Sequence, residues 1–205
     1  MSAREPRIKP VPIADLRPTQ MTVGMREVAE KRKMWREKEG HGDSFLGHHL
    51  IPVLLGPKGR PYVIDHHHLA RALMEEGVDN VATTVVADLS MLDKDAFWVF
   101  ADNRGWCHPY DADGVRRSFD DIPKSIKGMK DDPFRSLAGE LRRAGGFAKE
   151  TTPFSEFLWA DFLRRKLKPA DVRDDFGAAL SRALRLAKSP KAQYLPGWCG
   201  PSVDN

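Results

Sequence analysis

Apolar residues recur along the chain with two periods, and the switches between them mark out the elements. Val11 to Leu16 is short and apolar, and Pro10 and Pro12 restrict it to a sheet edge before Arg17-Pro18 ends it. Met25, Val28, Ala29, Arg32 and Trp35 then fall at helical spacing up to a stop at Gly40. Ile51 to Leu55 and Tyr62 to Ile64 are strands around Gly56-Pro57-Lys58-Gly59, a four-residue connection that predicts a hairpin. Pairing Leu55 with Arg60 sets Ile51 opposite Ile64 and His49 opposite His66, so five of the seven histidines would meet at one end.

A helix opens after Asp65, read as its N-cap, and ends near Gly77. Thr83 to Ala87 has the β-branched content of a buried strand, and Ser90 with Asp93 resembles a capping box ahead of Phe97, Trp98 and Phe100. From Gly105 to Pro133 aliphatic residues thin out, which predicts a long connection with little regular structure. Beyond it the pattern is helical. Ser136 to Ala144 stops at Gly145-Gly146, Thr152-Pro153 caps a helix bearing Phe154, Phe157, Leu158, Phe162 and Leu163, and Ala170 to Lys188 carries one further stripe. The expected organisation is an α/β core with a small mixed sheet over residues 1–104, a connecting region over 105–133, and a helical region over 134–205 packed on the core.

Composition narrows the classes. The 205 residues carry 33 basic and 29 acidic side chains, a net charge of +4, with the two signs interleaved. That permits phosphorylated ligands or nucleic acid but shows no dense basic stripe. Lys31, Arg32, Lys33, Arg36 and Lys38 alternate with glutamates, as on a solvated face. Cys107 and Cys199 are far apart and outside any metal-ligand spacing, so a disulfide scaffold is not expected. No apolar run of about eighteen residues occurs, and the N-terminus has no apolar leader core, so a cytoplasmic protein without a membrane partner is expected.

The strand-to-helix turn Asp65-His66-His67-His68 holds the candidate chemistry. Its first-turn N–H groups and the helix dipole would receive an anion. Leu69, Ala72 and Leu73 fall on a face that packs on the sheet, whereas His67, Arg71 and Met74 fall on the other, with His67 and Arg71 four apart and able to reach one ligand.

Four spaced pieces carry a family resemblance: Leu16-Arg17-Pro18-Thr19-Gln20-Met21-Thr22-Val23-Gly24, the hairpin with its histidine run, Asp88-Leu89-Ser90, and Asp132-Pro133-Phe134-Arg135-Ser136-Leu137-Ala138-Gly139. Together they resemble the ParB/sulfiredoxin superfamily, specifically its ParB-like nuclease branch. In relatives the turn reads Gly-Glu-Arg-Arg, Gly-Cys-His-Arg or Asp-Gly-His-His-Arg. His66 stands where those have glycine and Leu69 where they have arginine, with Arg71 the candidate replacement for the missing charge. The absence of cysteine at position 67 excludes sulfiredoxin-type thiol chemistry, and without the arginine pair a nucleotide-gated clamp on DNA is not expected.

The resemblance implies a ParB-N/sulfiredoxin-like core whose turn binds nucleotide phosphates, with ATP or CTP as the candidate cofactor. Asp65, His66, His67, His68 and Arg71, with Arg17 and Gln20 nearby, are the expected phosphate-binding residues, and His67, His68 and Arg71 the expected catalytic ones. Three classes compete. The preferred one is a nucleotide-dependent phosphohydrolase or phosphotransferase acting on a nucleotide or other phosphorylated small molecule. The second is a nuclease in which Asp65, His49 and His66 hold a divalent ion such as Mg²⁺ or Mn²⁺. The third is a non-catalytic DNA- or protein-binding module of a partition-like system. His68→Ala and Arg71→Ala are expected to abolish activity and spare the fold. Oligomeric state is left open.

Overall fold

Ile51, Val53, Leu54, Val63 and Val81 are all buried, and the strands that carry them form the centre of a five-stranded mixed sheet. The computed structural model describes residues 8–37 and 50–201, with side chains from Pro10 onward. The strand order is β1-β6-β4-β5-β2, from β1 (Ile8–Pro12), β2 (Arg17–Pro18), β4 (Ile51–Leu55), β5 (Pro61–Val63) and β6 (Asn80–Asp88). β1 sits at an edge, antiparallel to β6, where its prolines withhold no ladder donor that a second neighbour needs. The strand expected over residues 11–16 ends at Pro12. Ile13–Asp15 turns as a 3-10 segment because the chain crosses to the opposite edge, where β2 pairs parallel with β5.

The hairpin departs from its expected register by one residue. Leu55 pairs with Pro61 and Val53 with Val63. The Gly56 N–H donates to the Arg60 carbonyl at 2.8 Å and closes a loop of three residues, with Lys58 at φ 63° and Gly59 at φ 68°. An odd loop shifts the ladder, so His66 approaches Leu50, whose carbonyl lies 3.2 Å from His66 Nδ1. His49, with His48, lies outside the described residues.

α1 (Met25–Glu37) and α2 (His67–Glu75) cover one face of the sheet, and Arg32 and Arg36 of α1 grip Glu75 and Glu76 at the end of α2. Part of the charged face of α1 is therefore a clamp between helices. β6 leads into α3 (Lys94–Asn103), whose cap is Asp93 alone, accepting the Ala96 N–H at 2.8 Å, while Ser90 bonds to Asp88 instead of completing a capping box. The connection after α3 has little regular structure but is packed, burying Cys107, Ile122, Ile126 and Met129. It closes with β7 (Lys130–Asp131), parallel to β3 (Thr22–Val23).

Four α-helices follow among the described residues: α4 (Pro133–Arg143), α5 (Ser155–Arg164), α6 (Pro169–Asp174) and α7 (Phe176–Ala187). Leu137, Leu141, Trp159, Leu163 and Ala183 form their common core. Thr152-Pro153 does not open α5; the helix starts after Phe154, which adopts a left-handed conformation. The single helix expected over 170–188 is two, because the Asp175 carboxylate accepts the Ala178 N–H at 2.9 Å and starts α7 afresh. The Arg26 guanidinium lies 3.9 Å from the Phe176 ring centroid and joins α1 to the helical half. No helix among the described residues is long and apolar enough to cross a membrane.

Candidate functional site

Between the sheet and the helical half lies a cleft of about 370 Å³. Gln20, Asp65, His67 and His68 line it from the α/β side, and Arg135, Ser155 and Glu156 from the helical side. Four of the sequence-predicted residues thus meet there; His66, Arg71 and Arg17 do not line it, and His49 lies outside the described residues.

His67 and His68 reach the cleft wall from below. Both are buried, at 3% and 7% exposure, contrary to the outward face expected of His67. The Thr19 N–H donates to His67 Nε2 at 3.2 Å, and the Gly24 N–H donates to His68 Nε2 at 3.0 Å. Burial pushes His67 down to about 3, against the pull of its bond to the Val63 backbone. His68 is held well below its ordinary value, by burial first and then by the charge of Arg135. Both imidazoles are therefore neutral and anchor the β2–β3 segment to α2. Each spends its Nε2 lone pair on a backbone N–H.

Arg71 points away from the cleft. Its guanidinium donates to the carbonyls of Lys127 at 3.0 Å and Met129 at 2.9 Å and to Glu75 at 2.6 Å, holding the connection in place. His67 and Arg71 share no ligand position. Arg17 lines a separate hollow with Arg60 and Lys124. Asp65 accepts the His66 N–H at 2.6 Å, and His66, at φ 64°, is the residue that starts α2, so the cap lies one position later than expected.

Sequence reasoning assigned no role to Arg135 or Glu156. Arg135 is 8% exposed, sits 3.3 Å from a Glu27 oxygen and 5.3 Å from the Phe157 ring centroid, and its Nε is buried without a hydrogen-bond partner. Its signal was present in the Asp132-Pro133-Phe134-Arg135 run, where Asp132 caps α4 through the Phe134 and Arg135 N–H groups. Burial raises the Glu156 carboxyl, but Arg135, its own N–H, Arg142 and the Ser155 hydroxyl outweigh that and hold it below the usual range. An ionised carboxylate and a guanidinium thus line one cleft.

Two of the helices that open on the cleft begin in the same unusual way. His66 before α2 and Phe154 before α5 are left-handed, and neither start receives a side-chain cap. Strain of this kind in non-glycine residues gathers at functional sites.

The family model described as "Putative ParB-like nuclease" matches residues 9–165. The chain belongs to the ParB-like nuclease family. The matched span contains the whole cleft of this ParB-like protein, including Arg135 and Glu156. Its fold is similar to the crystal structure of protein Atu1540 from Agrobacterium tumefaciens, at 54% sequence identity and a TM-score of 0.91, covering 98% of this chain and 100% of that one. No curated protein matches the ParB-like chain.

The divalent-ion set expected of a metal-dependent nuclease, Asp65, His49 and His66, lies only partly within the described residues. Among the described residues no three His, Cys, Asp or Glu side chains gather closely enough to hold an ion. The Nε2 lone pairs of His67 and His68 already accept backbone N–H groups, Asp65 bonds to His66, and His49 lies outside the described residues.

Proposed function

We propose that the cleft binds a phosphate-bearing ligand and that the protein hydrolyses or transfers its phosphoryl group. The convergence of Arg135 with the uncapped start of α2 carries this reading. A phosphate there would accept from first-turn N–H groups and gain from the helix dipole. Arg135, in the cleft wall, would stabilise charge as it spreads over the transferring group. Glu156, ionised in the cleft wall and paired with Arg142 at 3.0 Å, would orient an attacking hydroxyl or water by accepting its hydrogen bond. His67 and His68 hold the turn in shape and take no part in proton transfer.

The family description favours a second reading, in which the phosphate belongs to a nucleic-acid phosphodiester. One experiment separates them: a phosphorus NMR time course with ATP, CTP and a short DNA, with and without Mg²⁺ or Mn²⁺, on the native protein and Arg135→Lys. The variant keeps the charge but loses the planar fork, so turnover should fall at least about tenfold. Breakdown of nucleotide that is lost in the variant supports phosphoryl transfer. Cleavage of DNA alone puts the nuclease first, and turnover unaffected by the substitution removes the cleft from consideration.

A further inference from the structure

Beside the cleft lies a second hollow of about 420 Å³, and the two share Gly105, Pro153, Phe154 and Phe157 as common walls. Its lining is aromatic. The His108 ring lies 4.1 Å from Phe157, 4.6 Å from Tyr110 and 5.0 Å from Phe154, centroid to centroid. Burial first, then Arg164 and Arg135, keep His108 neutral at about 3, so this wall is an uncharged π surface.

The rim is polar but balanced. Asp102 pairs with Arg116, Asp111 with Arg117 at 2.6 Å, Asp132 with Arg164 at 2.7 Å and Asp161 with Arg165 at 3.0 Å. An organic cation would call for an unmatched carboxylate, and an anion for an unmatched arginine. Neither is offered. Asp102, Asp111 and Asp161 offer acceptor edges to the hollow, and Arg164 and Arg165 offer donor edges.

We infer that this hollow is the subsite for a nucleobase carried by the same ligand whose phosphate occupies the cleft. A neutral flat heterocycle uses all of these features at once. Its face stacks on the aromatic wall, its ring acceptors meet arginine, and its exocyclic amino group meets a carboxylate. The subsite is built from the connection after α3 and the start of α5, outside the histidine turn.

The inference rests on the cleft being a phosphate site, and calorimetric titration of the full chain with tripolyphosphate, ATP and CTP tests the two separately. A nucleotide should bind roughly tenfold or more tighter than tripolyphosphate, the increment that one stacked base supplies. Tyr110→Ala should remove that increment and leave tripolyphosphate affinity unchanged. Leu158→Trp, at an exposed helix position on the hollow's lip, should do the same by filling the space. Equal affinity for nucleotide and tripolyphosphate would overturn the subsite and leave the phosphate cleft standing, as would a nucleotide advantage that survives both substitutions. Binding of neither probe would overturn the cleft reading and the subsite with it.

Discussion

The backbone N–H of Gly24 donates to Nε2 of His68 at 3.0 Å, across 44 residues of chain. The approach is so close that a Cβ on Gly24 would lie 2.6 Å from Ser136 Oγ and 2.9 Å from the Ser136 nitrogen. This one contact locks the segment before α1, the start of α2 and the first turn of α4 together. Gly24→Ala should cost roughly 1–3 kcal/mol through overpacking. Urea unfolding measures it, and an unchanged midpoint would show that the three elements can part without loss.

His68→Ala should destabilise the fold by about 2–4 kcal/mol, because it leaves the Gly24 N–H without its acceptor and opens a hole beneath α2. This replaces the expectation that the substitution spares the fold. A variant that is as stable as the native chain yet inactive would restore a chemical role for the imidazole.

Stability should fall as pH is lowered from about 7 toward 3. His67 and His108, both brought down to about 3, and His68, also well below its ordinary value, are neutral when folded, whereas in the unfolded chain each protonates near 6.5. The unfolded state therefore takes up more protons throughout that window, and the contribution is complete only above it. Each histidine adds a limiting slope of about 1.4 kcal/mol per pH unit. Unfolding free energies flat between pH 7 and 5 would contradict the buried neutral state.

Arg71→Ala should lower stability by roughly 1–3 kcal/mol, since its guanidinium holds the carbonyls of Lys127 and Met129. Affinity for phosphate ligands should not change, because Arg71 lies outside the cleft. Calorimetry on the variant showing lost phosphate affinity would return Arg71 to the site.

His66→Gly should stabilise the chain by about 0.5–1 kcal/mol, because His66 is held at φ 64°, where a Cβ is strained. This is the position at which related turns carry glycine. Lys58→Gly, at φ 63° in the hairpin loop, is the matching control away from the cleft. Lower melting temperatures for both variants would sink the strain argument.

Much of the architecture is legible in local pattern. Two prolines put β1 at an edge, helical spacing marks α1, and Gly145-Gly146 marks the end of α4, although that helix opens at Pro133 and not at the expected Ser136. What escapes local pattern is fixed over long range. The hairpin register turns on Lys58 adopting a conformation that its side chain does not advertise. His67 reads as an outward polar residue, and neither histidine advertises its partner, because the backbone groups of Thr19 and Gly24 lie 48 and 44 residues away. Asp174-Asp175 hides a break inside a continuous apolar stripe. Arg135 and Glu156 become neighbours of Gln20, Asp65, His67 and His68 only once the helical half docks on the sheet.

The two imidazole anchors also set how the N-terminal segment breathes. Thr19 and Gly24 lie at the ends of a short stretch with only two residues of strand between them, where amide protons would ordinarily trade with solvent in fast local openings. Here each amide is tied to a ring that is itself buried in the first turn of α2, so neither can open until that turn lifts off the sheet. Hydrogen–deuterium exchange should therefore find these two amides as slow as the central strands, in a segment whose sequence looks like a loop.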